Sequence, residues 1–223
     1  MAAPRLTWDA YTVAWAPLHD GYDVRHASPL VRGWLRVAYG IGRVLARIRV
    51  SARAVTGFGL LLNLGAPVAA ALLGPWPAAG LVFAAAMVDT VDGAVALLTD
   101  RATRLGTVYD ALVHRLAEVA WLGAFWVLGA PGWLVVICGA VAWLHEYIRA
   151  RTAAVGLPVI GAMTVGERSM RVSTTIGGLA VAGLAGQVST SLQAGTVTIA
   201  AVVWIFLGLF GFIEMMSSIG RVR

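Results

Sequence analysis

The chain has no lysine, one cysteine and few charges of any kind: only 13% of its 223 residues are Asp, Glu, Lys or Arg. A water-soluble domain carries roughly 25%. With 59% apolar residues and a mean hydropathy of +0.80, that shortage excludes an ordinary soluble globule and leaves a bilayer to solvate the surplus apolar surface. A single cysteine excludes an internal disulfide framework, and Cys138, inside an apolar run, reads as a small buried hydrophobe. The absence of lysine puts all 17 basic charges on arginine, against 11 acidic residues, for a net charge of +6. These arginines flank apolar segments, a pattern that speaks for anionic headgroups and membrane orientation and against nucleic acid. The first 28 residues, interrupted by Asp9, Asp20 and Asp23, are not expected to form a cleavable signal peptide.

Six apolar runs are long enough to cross a hydrocarbon core, which takes ~20 helical residues. They fall at about residues 54–74, 78–99, 105–128, 132–148, 172–189 and 195–217. Alternate connections carry the arginines: Arg43, Arg47, Arg49 and Arg53 before the first run, Arg101 and Arg104 after the second, Arg149, Arg151, Arg168 and Arg171 after the fourth, Arg221 and Arg223 after the last. The other three connections hold no charge. By the positive-inside rule both termini and the Arg-bearing loops are cytoplasmic. Ser28-Pro29 is a helix start signal. Beyond it Trp34, Ala38, Ile41, Leu45 and Ile48 recur at helical spacing, with Arg32, Arg36, Arg43 and Arg47 on another face. The expectation is an all-α, multi-pass integral membrane protein with six transmembrane helices and an N-terminal amphipathic interfacial helix. Its divisions are a cytoplasmic segment (1–27), the amphipathic helix (28–50) and the six-helix domain (51–223).

Carboxylates stand where lipid exposure would penalise them. Asp89, Asp92 and Ala96 share one helical face near the end of the second run; Gly106, Asp110 and His114 share another at the start of the third. Each ionised carboxylate in hydrocarbon costs ~2.5 to 3.5 kcal/mol, so three unpaired ones would oppose folding by roughly 7 to 10 kcal/mol. Arg101, Arg104 and Arg115 are the local counter-charges. A hard divalent cation with phosphates on its open side is satisfied by such an oxygen cluster, and Gly93 and Ala96 leave room for a ligand beside it. The plainer alternative is that these aspartates sit at headgroup level and cap helix ends.

The spacing Asp89-x2-Asp92-Gly93-x2-Ala96, followed by Gly106-x3-Asp110, resembles the signature of the CDP-alcohol phosphotransferases, six-span membrane enzymes with an N-terminal amphipathic helix. The resemblance covers residue 28 onward. It implies transfer of a phosphatidyl-type group from CDP-diacylglycerol to an alcohol in phospholipid biosynthesis, with release of CMP, on the cytoplasmic side. It implies two Mg2+ or Mn2+ ions held by Asp89, Asp92, Asp110 and the residue at position 114, nucleotide binding near Thr56, Gly59, Gly93, Ala96 and Gly106, and a homodimer. Two positions depart from the family pattern. Leu97 stands where an Arg contacts the donor phosphates, and His114 stands where a fourth Asp serves as ligand and general base. A His can act as a base near neutral pH, yet it favours softer ions than Mg2+. Hence an alternative expectation stands beside the enzyme: an impaired relative that binds CDP-lipid as a regulatory or partner protein.

Arg149, Arg151, Arg168 and Arg171 form a cationic mouth suited to an anionic acceptor, although arginine at a cytoplasmic helix end is expected on topology alone. Tyr147-x-Arg149-Ala150-Arg151 and Glu167-Arg168-x2-Arg171 resemble segments of phosphatidylinositol phosphate synthases, which implies inositol phosphate as acceptor and glycerol phosphate next. Glu118 either pairs with Arg115 or lines the cavity, His145 and Glu146 are expected at the interface, and Glu214 is a partner for Arg221. Transport driven by intramembrane carboxylates is disfavoured, because the acidic residues gather at one edge and not near the midplane.

Overall fold

Thr7 and Ser28 begin the first two helices in the same way. Each side-chain oxygen accepts a backbone N–H three residues on, from Ala10 for α1 (Trp8–Trp15) and from Val31 for α2 (Pro29–Arg47), both at 3.3 Å. The computed structural model describes residues 6–19, 22–100, 103–156 and 168–220. Arg101, Glu167, Arg221 and Arg223, assigned roles from the sequence, lie outside them. Among the described residues every regular element is helical. Two short 3-10 turns, Ala16–His19 and Val24–His26, join α1 to α2, and six long helices follow: α3 (Ala52–Leu73), α4 (Pro75–Thr99), α5 (Arg104–Val127), α6 (Gly132–Ala154), α7 (Arg168–Ala185) and α8 (Thr190–Gly220).

These six helices coincide with the six apolar runs to within six residues at every end, and two of the differences are informative. α6 continues six residues past the expected end, so Arg149 and Arg151 stand on a helix and not in a loop; α7 starts four residues early, which puts Arg168 and Arg171 in its first turn. Four helices, α3, α4, α6 and α8, are long and apolar enough to cross a membrane by length and composition. The other two, α5 and α7, carry Asp110, Arg115 and Glu118 and carry Arg168 and Arg171 respectively. Leu61, Leu72, Phe83, Val136, Phe206 and Ile213 are all more than half exposed, as expected of surface meant for hydrocarbon. The connections after α3 and α5 turn on Gly74 and Gly129, at φ +92° and +107°. A Cβ on Gly129 would also stand 2.7 Å from that of Ala194, so this turn demands glycine twice over.

The chain divides into two compact units. The first comprises Met1–Leu62 and Ala84–His114. In it α2 buries Leu35, Ala38, Tyr39 and Gly42, and Ala38 packs with Val55, Val91 and Val95. Of the apolar residues that the sequence put on the interfacial face, Ile41 and Ile48 are 41% and 64% exposed, while Ala38 is buried. α2 has two apolar stripes, and the one carrying Val37, Ile41, Val44 and Ile48 is left uncovered.

The second unit comprises Asn63–Phe83 and Arg115–Arg223. Its core is built on Trp121, Phe125, Leu179 and Trp204, with the two Trp rings edge to face at 6.3 Å. Trp121 Nε1 donates to Asn63 Oδ1 at 2.6 Å, and the buried Cys138 Sγ donates to the Ala201 carbonyl at 3.2 Å. Where lipid replaces water, packing and not hydrophobic burial joins helices, and small residues permit it. At Gly178 a Cβ would lie 2.6 Å from that of Ala200, so α7 and α8 approach as closely as glycine allows.

Candidate metal and substrate site

Asp110 and His114 lie one turn apart on α5 and face Asp89 of α4. His114 Nε2 is 2.7 Å from Asp89 Oδ1 and 3.2 Å from Asp110 Oδ1. Each of the three half-buried side chains offers one ligand atom, and these atoms lie within 4.8 Å of one another. Asp92, nearly one turn after Asp89, is buried; its Oδ2 has no hydrogen-bond partner, and its carboxylate feels the charges of Asp89, Asp110 and His114. A buried carboxylate oxygen without a donor, beside two more carboxylates and an imidazole, is an arrangement that a divalent cation completes. The residues present therefore fit a metal.

The other expected positions sort by packing. Thr56 is buried, its hydroxyl donating to the Ala52 carbonyl at 2.9 Å beside the Asp92 carboxylate. Gly93 is exposed, and a Cβ there would meet nothing within 4 Å, which keeps the face open as expected. Ala96 is half-buried. At Gly106 the backbone N–H takes the capping hydroxyl of Thr103 at 3.0 Å, and a Cβ would meet that same oxygen at 3.0 Å.

Leu97, at the position of the pattern's Arg, points into a cluster formed by Tyr11, Tyr39, Ala94 and Leu98, with Leu6, Trp8, Trp15 and Ala46 around it. The rings of Tyr11 and Tyr39 are 5.1 Å apart and those of Trp8 and Tyr39 5.6 Å. Tyr39 donates its hydroxyl to the Leu6 carbonyl at 2.7 Å, and the Arg36 guanidinium stands over Trp8. Burial pushes the Tyr11 phenol up to about 12. The segment before α2 is thus a packed arm, a structure that sequence reasoning missed. The only signal for it was Trp8, Tyr11 and Trp15 at spacings of three and four.

The four expected acceptor arginines do not behave alike. Arg171 is 1% exposed and held by two carboxylates: its Nε is 2.8 Å from Glu118 Oε1 and its Nη2 2.8 Å from Glu146 Oε1. Arg115 pairs with Glu118 at 2.7 Å and lies 3.6 Å from Glu146. This is one of the two options the sequence left open for Glu118. Two arginines and two glutamates make a charge-balanced network across α5, α6 and α7, buried at Arg171 and Glu118 and half-buried at Arg115 and Glu146, the condition under which buried charge is tolerable. Glu146 thus faces this network, and His145 is 1% exposed. Arg168 lies over the Trp121 ring at 5.8 Å. Arg149 is half-buried and Arg151 exposed.

Together, an all-helical multi-pass membrane architecture and a compact carboxylate–imidazole cluster define a membrane protein equipped to hold a cation beside a small-residue face. Residues 49–216 match the family described as CDP-alcohol phosphatidyltransferase. The chain belongs to that family. It is 32% identical over 121 residues to an archaetidylinositol phosphate synthase of Aeropyrum pernix, and 27% identical over 158 residues to a phosphatidylinositol phosphate synthase of Corynebacterium glutamicum. These matches take in 50% and 65% of this chain and 62% and 69% of those relatives' lengths. Its fold is similar to that of the Mycobacterium tuberculosis phosphatidylinositol phosphate synthase with CDP-DAG bound (TM-score 0.64, 24% identity, 82% of this chain and 92% of that one). It is similar also to the same enzyme in complex with manganese and citrate (TM-score 0.64, 23% identity, 81% and 87%).

Proposed function

We propose that this chain transfers a phosphatidyl-type group from CDP-diacylglycerol to inositol phosphate, releasing CMP, in phospholipid synthesis. The observation that carries the reading is the meeting of Asp89, Asp110 and His114 within 4.8 Å at the family's motif positions; the relatives' names supply the acceptor. In the reaction an acceptor hydroxyl oxygen forms a bond to the lipid-bearing phosphorus, and the bond from that phosphorus to CMP breaks. Asp89, Asp92, Asp110 and His114 would hold Mg2+ or Mn2+. When bound, such an ion supplies electrostatic stabilisation of pyrophosphate charge. The hydroxyl proton passes to the imidazole–carboxylate cluster. His114 Nε2 has one lone pair and serves as ligand or as proton acceptor, not as both at once. Gly93 and Ala96 leave space for the nucleotide, with Thr56 beside Asp92, and Arg149 and Arg151 are the arginines left to grip the acceptor phosphate.

On this reading α3 to α8 are six spans, α2 lies in the interface on its uncovered Val37/Ile41/Val44/Ile48 stripe, and the site and both termini are cytoplasmic. The divisions at 1–27, 28–50 and 51–223, and a homodimer, complete it. The arginine-bearing connections support this orientation.

The test is CMP release by purified full-length protein in lipid nanodiscs supplied with CDP-diacylglycerol and either inositol phosphate or glycerol phosphate. Release with inositol phosphate in preference to glycerol phosphate supports the proposal. CDP-diacylglycerol binding without turnover on any acceptor would replace it with the impaired relative, a reading that the apolar packing of Leu97 favours.

A further inference from the structure

His114 turns an all-oxygen ligand set into a mixed one, and its position makes the nitrogen part of the set and not a bystander. Nε2 points into the same small volume as Asp89 Oδ1 and Asp110 Oδ1, at 2.7 and 3.2 Å. Between ionised carboxylates Nε2 holds the bridging proton, and a cation that engages both carboxylates displaces that proton and meets the imidazole nitrogen as well. Asp92, whose Oδ2 is buried and without a hydrogen-bond partner, is the next carboxylate along α4. Mg2+ demands near-octahedral oxygen coordination and sheds water reluctantly. Imidazole raises affinity along the first-row series instead, from Mn2+ towards Co2+ and Zn2+.

We propose that His114 Nε2 is a direct metal ligand and that it tunes this site to a first-row transition-metal dication in preference to Mg2+. The inference rests on the proposed cation-dependent transfer site and deepens it. The Nε2 lone pair is then committed to the ion, so a carboxylate of the cluster, and not His114, receives the acceptor's proton. His114 becomes a selectivity residue.

Two measurements on the full-length protein in nanodiscs, neither of them activity, test this. Loaded with Mn2+, the protein should give an electron spin-echo modulation from a directly bound imidazole nitrogen. In equilibrium competition, Co2+ should bind about tenfold or more tightly relative to Mg2+ than it does to His114→Asp, which restores an oxygen ligand. The nitrogen signal should vanish in that variant. Mn2+ bound without nitrogen modulation in the unaltered protein overturns the proposal, whatever the variant does, and leaves the carboxylate cation site standing. An unchanged Co2+ to Mg2+ preference in a folded His114→Asp protein overturns it equally. If none of these ions binds the unaltered protein, the cation site and this inference fall together.

Discussion

Arg171 and Glu118, 53 residues apart in sequence, meet as a 2.8 Å ion pair with both side chains 1% exposed. Breaking such a pair from one side leaves a buried charge without its partner. Arg171→Ala is expected to cost about 3–5 kcal/mol, read as a lower thermal unfolding midpoint in detergent. The double replacement Arg171→Met with Glu118→Leu removes both charges and should be more stable than Arg171→Ala alone. Equal losses in the two proteins would mean that the network contributes packing and not charge compensation.

Under the proposed transfer, Asp89→Asn and Asp110→Asn each remove a ligand charge from the cluster while keeping its size. Both proteins should insert and fold, and both should release CMP roughly 100-fold more slowly or worse. Retention of most activity in either one would remove that aspartate from the cation site.

How much of this was legible beforehand follows from the range of each interaction. The six long helices were readable because apolar runs of ~20 residues have few other solutions. The cluster was readable because Asp110 and His114 are one turn apart and Asp89 lies on the adjoining helix, so local periodicity sets most of the geometry. Of the Arg171–Glu118–Glu146–Arg115 network only the Arg115–Glu118 pairing on α5 was readable; the rest depends on how three helices rotate against one another, which no local spacing encodes. In α2 the sequence showed one apolar face, and packing divides it, taking in Ala38 while Ile41 and Ile48 stay out.

Leu97 packs where the family pattern has an arginine, so restoring the pattern should harm this chain. Leu97→Arg puts a guanidinium against Tyr11, Tyr39, Ala94 and Leu98, where a charge costs more than the ~1–3 kcal/mol of an unpaired neutral polar group. The arm should loosen, and limited proteolysis should cut between residues 6 and 27 faster than in the unaltered protein. Unchanged cleavage together with raised CMP release would show instead that the arginine reaches the donor phosphates.

Tyr11 offers a pH readout of the same cluster. Its phenol, raised to about 12 by burial, holds its proton in the folded arm at pH values where an unfolded tyrosine, near ~10, has lost it. Between these values the folded state binds more protons, so the arm's stability falls as pH rises through roughly 10 to 12. Absorbance of tyrosinate near alkaline pH should show one late-titrating tyrosine that disappears in Tyr11→Phe. Amplitude lost in Tyr11→Phe only near the ordinary tyrosine pKa of ~10 would contradict the burial.

Arg149 and Arg151 can be separated from Arg171 by which constant they move. A guanidinium that grips the acceptor phosphate equally in ground and transition states changes KM and leaves kcat alone. A hydrogen bond to a charged group is worth about 1.5–3 kcal/mol, so Arg149→Ala should raise KM for inositol phosphate by roughly 10- to 100-fold, with kcat and the KM for CDP-diacylglycerol unchanged. Arg149→Lys should recover only part of the loss, because an ammonium cannot make the bidentate contact. Arg171→Ala, whose side chain is already spent on Glu118 and Glu146, should lower stability before it moves any KM. If Arg149→Ala and Arg151→Ala both leave the acceptor KM untouched, these residues mark only the C-terminal end of α6, and the acceptor phosphate is held elsewhere.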